Sequence, residues 1–172
     1  MKASVLHKFC TPPIFEEIDD PVCGPNSVVI ELKACGVCRS DHHAWSGNDP
    51  DVKLPHIMGH ELAGIIVETG SDIKKFSVGD HVTVPFILGC GLCSDCQTGN
   101  STICERQETI GFTIRGGFAQ FVEICFADFN LVRLPSSLGF ETAAAMGCRV
   151  TTAYRALTDR ASLLPGEWLA IY

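Results

Sequence analysis

The sequence predicts a mainly β protein that gives way to a helical segment near its C-terminal end, and three observations carry that expectation. Short apolar runs rich in β-branched residues recur between Gly, Pro and Asp through the first 135 residues. After Pro135 the composition turns Ala-rich with helix-like spacing. Within the first of these regions, four cysteines fall within sixteen positions, 89 to 104.

Taken in order, "SVVIELKA", "LAGIIVETG", "DHVTVPFIL", "FAQFVEIC" and "NLVRLP" read as strands of a mostly antiparallel sheet or small barrel. "FETAAAMGC" and "VTTAYRALTDRA" read as helix, with few breakers until Pro165. "PGEWLAIY" then begins a strand-like run that is still apolar at Tyr172, the expected opening of an α/β unit.

The chain has 172 residues, 46% hydrophobic and 19% charged, room for one domain with a sizeable core or for one domain and the beginning of a second. No run of about 18 apolar residues is present to cross a bilayer. A net charge of −7 without a compensating basic block argues against a nucleic-acid partner. "MKASVLHKF" lacks the apolar core of a secretory signal, so a cytoplasmic location is expected. In that reducing compartment ten cysteines point to metal ligands or small buried hydrophobes more than to disulfides.

The stretch "GCGLCSDCQTGNSTIC" spaces Cys90, Cys93, Cys96 and Cys104 as Cys-x2-Cys-x2-Cys-x7-Cys. Four thiolates close a tetrahedral zinc completely, which makes the site structural. An iron–sulfur cluster would use the same ligands. A dinucleotide-binding glycine loop fits poorly, since Ser94 replaces the third glycine and no helical run follows. The glycosylation triplet at Asn100 carries no meaning without secretion.

A second constellation lies in "CGVCRSDHHAWSG", residues 35 to 47, and "GHELAG", starting at Gly59. Singly, a histidine here reads as a core residue and a cysteine as a small hydrophobe. "HELAG" also lacks the second histidine of the zinc-protease pattern.

Together, "GHELAGIIVETGSDI", "CGVCRSDHHAW" and the four-cysteine loop resemble the zinc-containing alcohol dehydrogenases of the medium-chain dehydrogenase/reductase superfamily, in the right order and over essentially the whole chain. The resemblance covers about the first half of what such enzymes have. It implies a GroES-like partly open β-barrel over residues 1–140, then a helical connection and the first strand of a truncated Rossmann nucleotide-binding domain over 141–172.

The resemblance also assigns roles. Cys38, His60 and Cys148 would hold a catalytic zinc with its fourth position open, two cysteines and one histidine being the set general to alcohol dehydrogenase. Asp41 would orient His60. Glu61 would lie beside the ion, either as a transient ligand or in an ion pair. Ser40 and His43 would relay the alcohol proton, Arg39 would meet the cofactor pyrophosphate, Thr152 the nicotinamide, and Phe86 would line the substrate pocket. Plain surface or packing roles remain the alternatives for Arg39, His43, Thr152 and Phe86. His42 and Trp45 receive no role.

The expected activity is hydride transfer between a small alcohol, giving an aldehyde or ketone, and a nicotinamide cofactor, NAD in preference to NADP. Two zinc ions per chain, and a homodimer or homotetramer of the whole protein, complete the expectation. The 172-residue chain alone is expected to be inactive, because the glycine-rich dinucleotide loop would follow "EWLAIY". A zinc-free quinone-reductase-like relative and a non-enzymatic zinc module are the competing readings.

Overall fold

The computed structural model describes Met1–Tyr172. In chain order its strands are β1 (Lys2–Leu6), β2 (Ile14–Glu17), β3 (Val28–Gly36), β4 (His56–Ile57), β5 (Glu61–Thr69), β6 (His81–Thr83), β7 (Ile87–Leu88), β8 (Glu108–Thr109), β9 (Phe121–Ile124) and β10 (Val132–Arg133). The helices are short: α1 (Arg39–Ser46), α2 (Ser94–Gln97), α3 (Ala127–Asn130), α4 (Phe140–Ala145) and α5 (Thr151–Arg155). Wider π-helical turns at Met146–Val150 and Ala156–Arg160 flank α5.

Five strands, in the order β10-β6-β5-β3-β9, form the central antiparallel sheet, and β2-β1-β4 and β7-β8 make two smaller ones. Val28 and Ile30 of β3 and Leu62 and Ile66 of β5 join the main core, while Val29 and Ala63 between them in sequence are buried too, so these strand segments are covered on both faces. Val82, Ile110 and Ile124 belong to the same core. Truncating fully buried Ile66 to Ala would cost about 2–5 kcal/mol. A second cluster, Leu6, Ala44, Val52, Met58 and Phe112, seats α1.

β3 and β5 pair antiparallel from Val28 opposite Thr69 to Gly36 opposite Glu61. That register sets the end of β3 beside the start of β5, so the segment containing Cys38 meets the turn containing His60 although they are far apart in sequence.

The Ala-rich α4 packs its buried Ala143 and Ala144 onto Ala63 of β5. Small residues on both sides let helix and sheet approach closely. Thr83 Oγ1 donates within reach of both Leu62 O (2.9 Å) and Ala143 O (3.2 Å), fixing where α4 sits.

The architecture is mostly sheet with few helices, as the sequence predicts. Three details differ from the strand and helix assignments. "DHVTVPFIL" is two strands, β6 and β7, because Pro85 has no N–H to donate to a ladder. The β1–β2 hairpin and helix α1 are additional elements. "EWLAIY" pairs with no other segment and forms no ladder in this chain; its Trp168 is 98% exposed.

Candidate metal centre

Cys38 stands at the N-terminal end of α1, and Asp41 in the first turn organises it. Asp41 Oδ2 accepts the Cys38 backbone N–H at 2.8 Å. Its Oδ1 accepts the Gly59 N–H at 3.1 Å and lies 3.2 Å from His60 Nδ1. One buried carboxylate thus ties the helix start to the Gly59–His60 turn. The helix ends at Gly47, whose φ of 75° is the left-handed conformation glycine adopts without strain.

Cys148 arrives from the other side, in the π-helical turn after α4. The Gly147 carbonyl accepts the Phe86 N–H at 3.1 Å, which fastens this turn to the segment between β6 and β7. One potential ligand atom from each of Cys38, His60, Glu61 and Cys148 lies within 4.8 Å of all the others.

His60 is fully buried, and its Nε2 has no hydrogen-bond partner. Such an orphaned group costs about 1–3 kcal/mol unless something meets it. With Asp41 accepting from Nδ1–H, the Nε2 lone pair is free to point at a cation. Two sulfurs and one imidazole nitrogen form the donor set of a catalytic zinc site, so the residues fit the ion. Burial raises the Cys38 thiol, but the Ser40 amide, the neighbouring His60 ring and the Ser40 hydroxyl together outweigh it and hold the thiol below its ordinary value. Burial and the adjacent Cys38 push Cys148 up to about 11.

Arg149 is the neighbour that sequence reasoning overlooked. Its Nε donates to Glu61 Oε1 at 2.8 Å and its Nη2 to Oε2 at 2.6 Å, a bidentate pair on a fully buried carboxylate. The available signal was a basic residue directly after Cys148 with an acidic residue directly after His60.

A cavity of about 320 Å³ opens beside His60, lined by Ser40, His43, Phe86 and Phe112 among others. The Ser40 hydroxyl is 3.9 Å from Cys38 Sγ. His43 is exposed on α1. The Phe86 and His60 ring centroids are 6.1 Å apart. Phe86 also borders a second cavity of about 450 Å³, shared with Thr152 and Arg155. Thr152 lines this second cavity and not the one beside His60, and Arg39 lies exposed at the start of α1. His42 packs against Trp45, at 5.5 Å between centroids.

The four-cysteine loop forms a separate cluster. The sulfurs of Cys90, Cys93, Cys96 and Cys104 all lie within 4.8 Å of one another, with Cys93 and Cys104 3.7 Å apart. Sulfurs placed 2.3 Å from one tetrahedral ion stand about 3.8 Å apart. Backbone N–H groups of Leu92 and Arg106 donate to Cys90 and Cys104 at 3.4 and 3.3 Å, and Arg106 Nη2 reaches Cys90 at 3.3 Å. The Leu92 amide leads in holding Cys90 down at about 6, while burial pushes Cys96 up to about 12. Four cysteine sulfurs gathered in so small a space have the donor set for one tetrahedral cation. Asn130 clamps the entry to the loop: its side chain pairs with both the N–H (3.0 Å) and the carbonyl (2.9 Å) of Gly89.

Residues 24–136 match the family model for the alcohol dehydrogenase GroES-like domain. The chain belongs to the alcohol dehydrogenase family. An alcohol dehydrogenase of Geobacillus stearothermophilus is 41% identical over all of this chain and 51% of its own length. Among solved structures, an NAD-dependent alcohol dehydrogenase superposes with a TM-score of 0.89 at 30% identity, covering 97% of this chain and 49% of the other. The cobalt- and zinc-bound thermostable alcohol dehydrogenase from Pyrobaculum aerophilum gives 0.85 at 32% identity, covering 97% and 50%. The fold is that of the GroES-like part of the medium-chain alcohol dehydrogenases. The chain spans about half the length of these relatives. No helix is long and apolar enough to cross a membrane.

Proposed function

We propose that this chain is the metal-bearing catalytic part of a zinc-dependent alcohol dehydrogenase, which moves hydride between a small alcohol and a nicotinamide cofactor. The observation that carries the reading is the buried, unpartnered Nε2 of His60, on a ring with a nitrogen within 4.8 Å of the Cys38 and Cys148 sulfurs. Zinc bound there supplies Lewis acidity, lowering the pKa of an alcohol hydroxyl. Cys38, His60 and Cys148 hold it. Asp41 keeps the Nδ1–H tautomer of His60 and the Cys38 backbone in place. Ser40 Oγ accepts the alcohol proton as it gives up its own hydroxyl proton toward exposed His43, which lines the same cavity and exchanges that proton with solvent. Phe86 and Phe112 exclude water from one wall. Cys90, Cys93, Cys96 and Cys104 hold a second, structural zinc.

The cofactor is NAD in the first instance, in keeping with the NAD-dependent neighbour, with NADP as the alternative. Arg39 and Thr152 are its proposed contacts. Residues 1–140 form the catalytic domain and 141–172 lead into nucleotide binding, so the chain alone is proposed to be inactive. The whole protein is proposed to be a cytoplasmic homodimer or homotetramer. A zinc-free relative gives no reason for the Cys38–His60–Cys148 set, and a non-enzymatic zinc module gives none for the cavity at His60.

The test is zinc content per chain before and after Cys38→Ser, joined to alcohol-dependent NAD reduction by a full-length protein containing this chain. Loss of one zinc together with the activity supports the reading. Retention of activity in Cys38→Ser contradicts it.

A further inference from the structure

We propose that Arg149 is a positioning residue that keeps the Glu61 carboxylate off the metal, leaving the centre with three protein ligands instead of four. The inference rests on the reading of Cys38, His60 and Cys148 as metal ligands, and it concerns which groups complete the coordination shell.

Glu61 is within ligand range, since one of its oxygens lies within 4.8 Å of the Cys38 and Cys148 sulfurs and a His60 nitrogen. It is also the residue directly after His60, at the first position of β5. A carboxylate so placed is a ready fourth ligand, and four protein ligands close a zinc site to substrate. Arg149 occupies both oxygens instead, at 2.8 and 2.6 Å. The planar fork of a guanidinium suits that bidentate grip, which a lysine cannot reproduce.

The two partners differ in their freedom. Glu61 is fully buried, whereas the Arg149 side chain is 55% exposed. Arg149 can swing into water, but the carboxylate left behind would be a buried charge without a partner, which is strongly disfavoured. An ion held by Cys38, His60 and Cys148 would then be a cation within its reach. Gly36 makes room for the pair, because a Cβ at that position would collide with Glu61 Oε2 and crowd Arg149 Nη2. Arg149 adjoins Cys148 in the chain, so one turn supplies both a ligand and the group that restrains a competing ligand.

The test uses cobalt as a visible reporter. With zinc first filling the four-cysteine loop, Co²⁺ is titrated into the second centre, and the Cys38→Ser protein serves as blank. Imidazole is then added to probe for an open position through the ligand-field bands. The unaltered protein should shift its bands with imidazole. Arg149→Met should lose that shift and hold cobalt at least as well against a chelator. Arg149→Met combined with Glu61→Gln should regain the shift, because the competing ligand is gone.

Three results would overturn the proposal: an unchanged imidazole response in Arg149→Met; a lost response that Glu61→Gln does not restore; or cobalt affinity lowered about 10–100-fold, as when an outer-shell support is removed. If Arg149→Met does not fold, Arg149→Lys should show a reduced response, and a response equal to the unaltered protein's would count against the proposal. Absence of cobalt uptake above the blank would overturn the metal-centre reading along with it. Normal uptake with no dependence on Arg149 removes only the role of Arg149.

Discussion

Asp41 Oδ1 lies 3.2 Å from His60 Nδ1, with both side chains buried, and the same carboxylate also accepts backbone N–H groups of Cys38 and Gly59. One side chain therefore fixes the position of two proposed ligands at once. Removing it leaves two amides and an imidazole without their acceptor.

Asp41→Ala should lower zinc affinity at the Cys38–His60–Cys148 centre by about 10–100-fold, the usual cost of losing such support. Competition with a chromophoric chelator measures it. Affinity equal to that of the unaltered protein would show that Asp41 serves the helix start alone.

The four-cysteine loop lies outside the main core, and under the proposed reading it depends on a structural zinc. Zinc binding to such sites in small peptides is worth about 10–16 kcal/mol. Cys96→Ser should make residues 90–104 readily cleaved by protease while the far-ultraviolet circular dichroism of the central sheet is kept. Protease resistance of the loop equal to the unaltered protein's would refute a metal-dependent loop.

Asn130 is buried and bonds to the Gly89 N–H, the Gly89 carbonyl and the Phe126 carbonyl. Asn130→Ala leaves buried backbone groups unpaired, at about 1–3 kcal/mol for each group that water cannot reach. Urea unfolding should show a loss in that range. A change near zero would mean that water replaces the side chain.

Much of this was legible in the sequence because the signals are local. The β3 and β5 runs are short, apolar and rich in β-branched residues, and the Cys-x2-Cys-x2-Cys spacing permits few other uses. The Arg149–Glu61 pair was not legible, because it depends on how α4 packs its alanines on β5 and so where the following turn falls. The break in "DHVTVPFIL" was signalled by Pro85, yet its apolar continuity masked it. Helix α1 was hidden by its polar composition: "RSDHHAWS" buries only Asp41 and Ala44, too few positions to show a helical period.

The surface pair of Arg133 and Asp80 offers a pH test. Arg133 Nη2 donates to Asp80 Oδ2 at 2.6 Å, which, with the Ser77 N–H, holds the Asp80 carboxyl below its ordinary 3.8. A carboxyl with a depressed folded-state pKa stabilises the fold above its unfolded value, and that contribution disappears as pH falls through the folded value. Both groups are partly exposed, so the pair is worth about 0.2–1 kcal/mol. Asp80→Asn should lower stability by that amount at pH 7, with the difference shrinking toward zero as pH falls through the lowered folded-state value of Asp80. A difference that persists undiminished at low pH would show that the carboxylate charge is not its source.

The most direct test of the account is the metal content of protein purified under reducing conditions, measured by elemental mass spectrometry with and without Cys38→Ser. Two zinc ions per chain, falling to one in Cys38→Ser, is the predicted result. One zinc in both proteins, or iron in place of zinc, would contradict it.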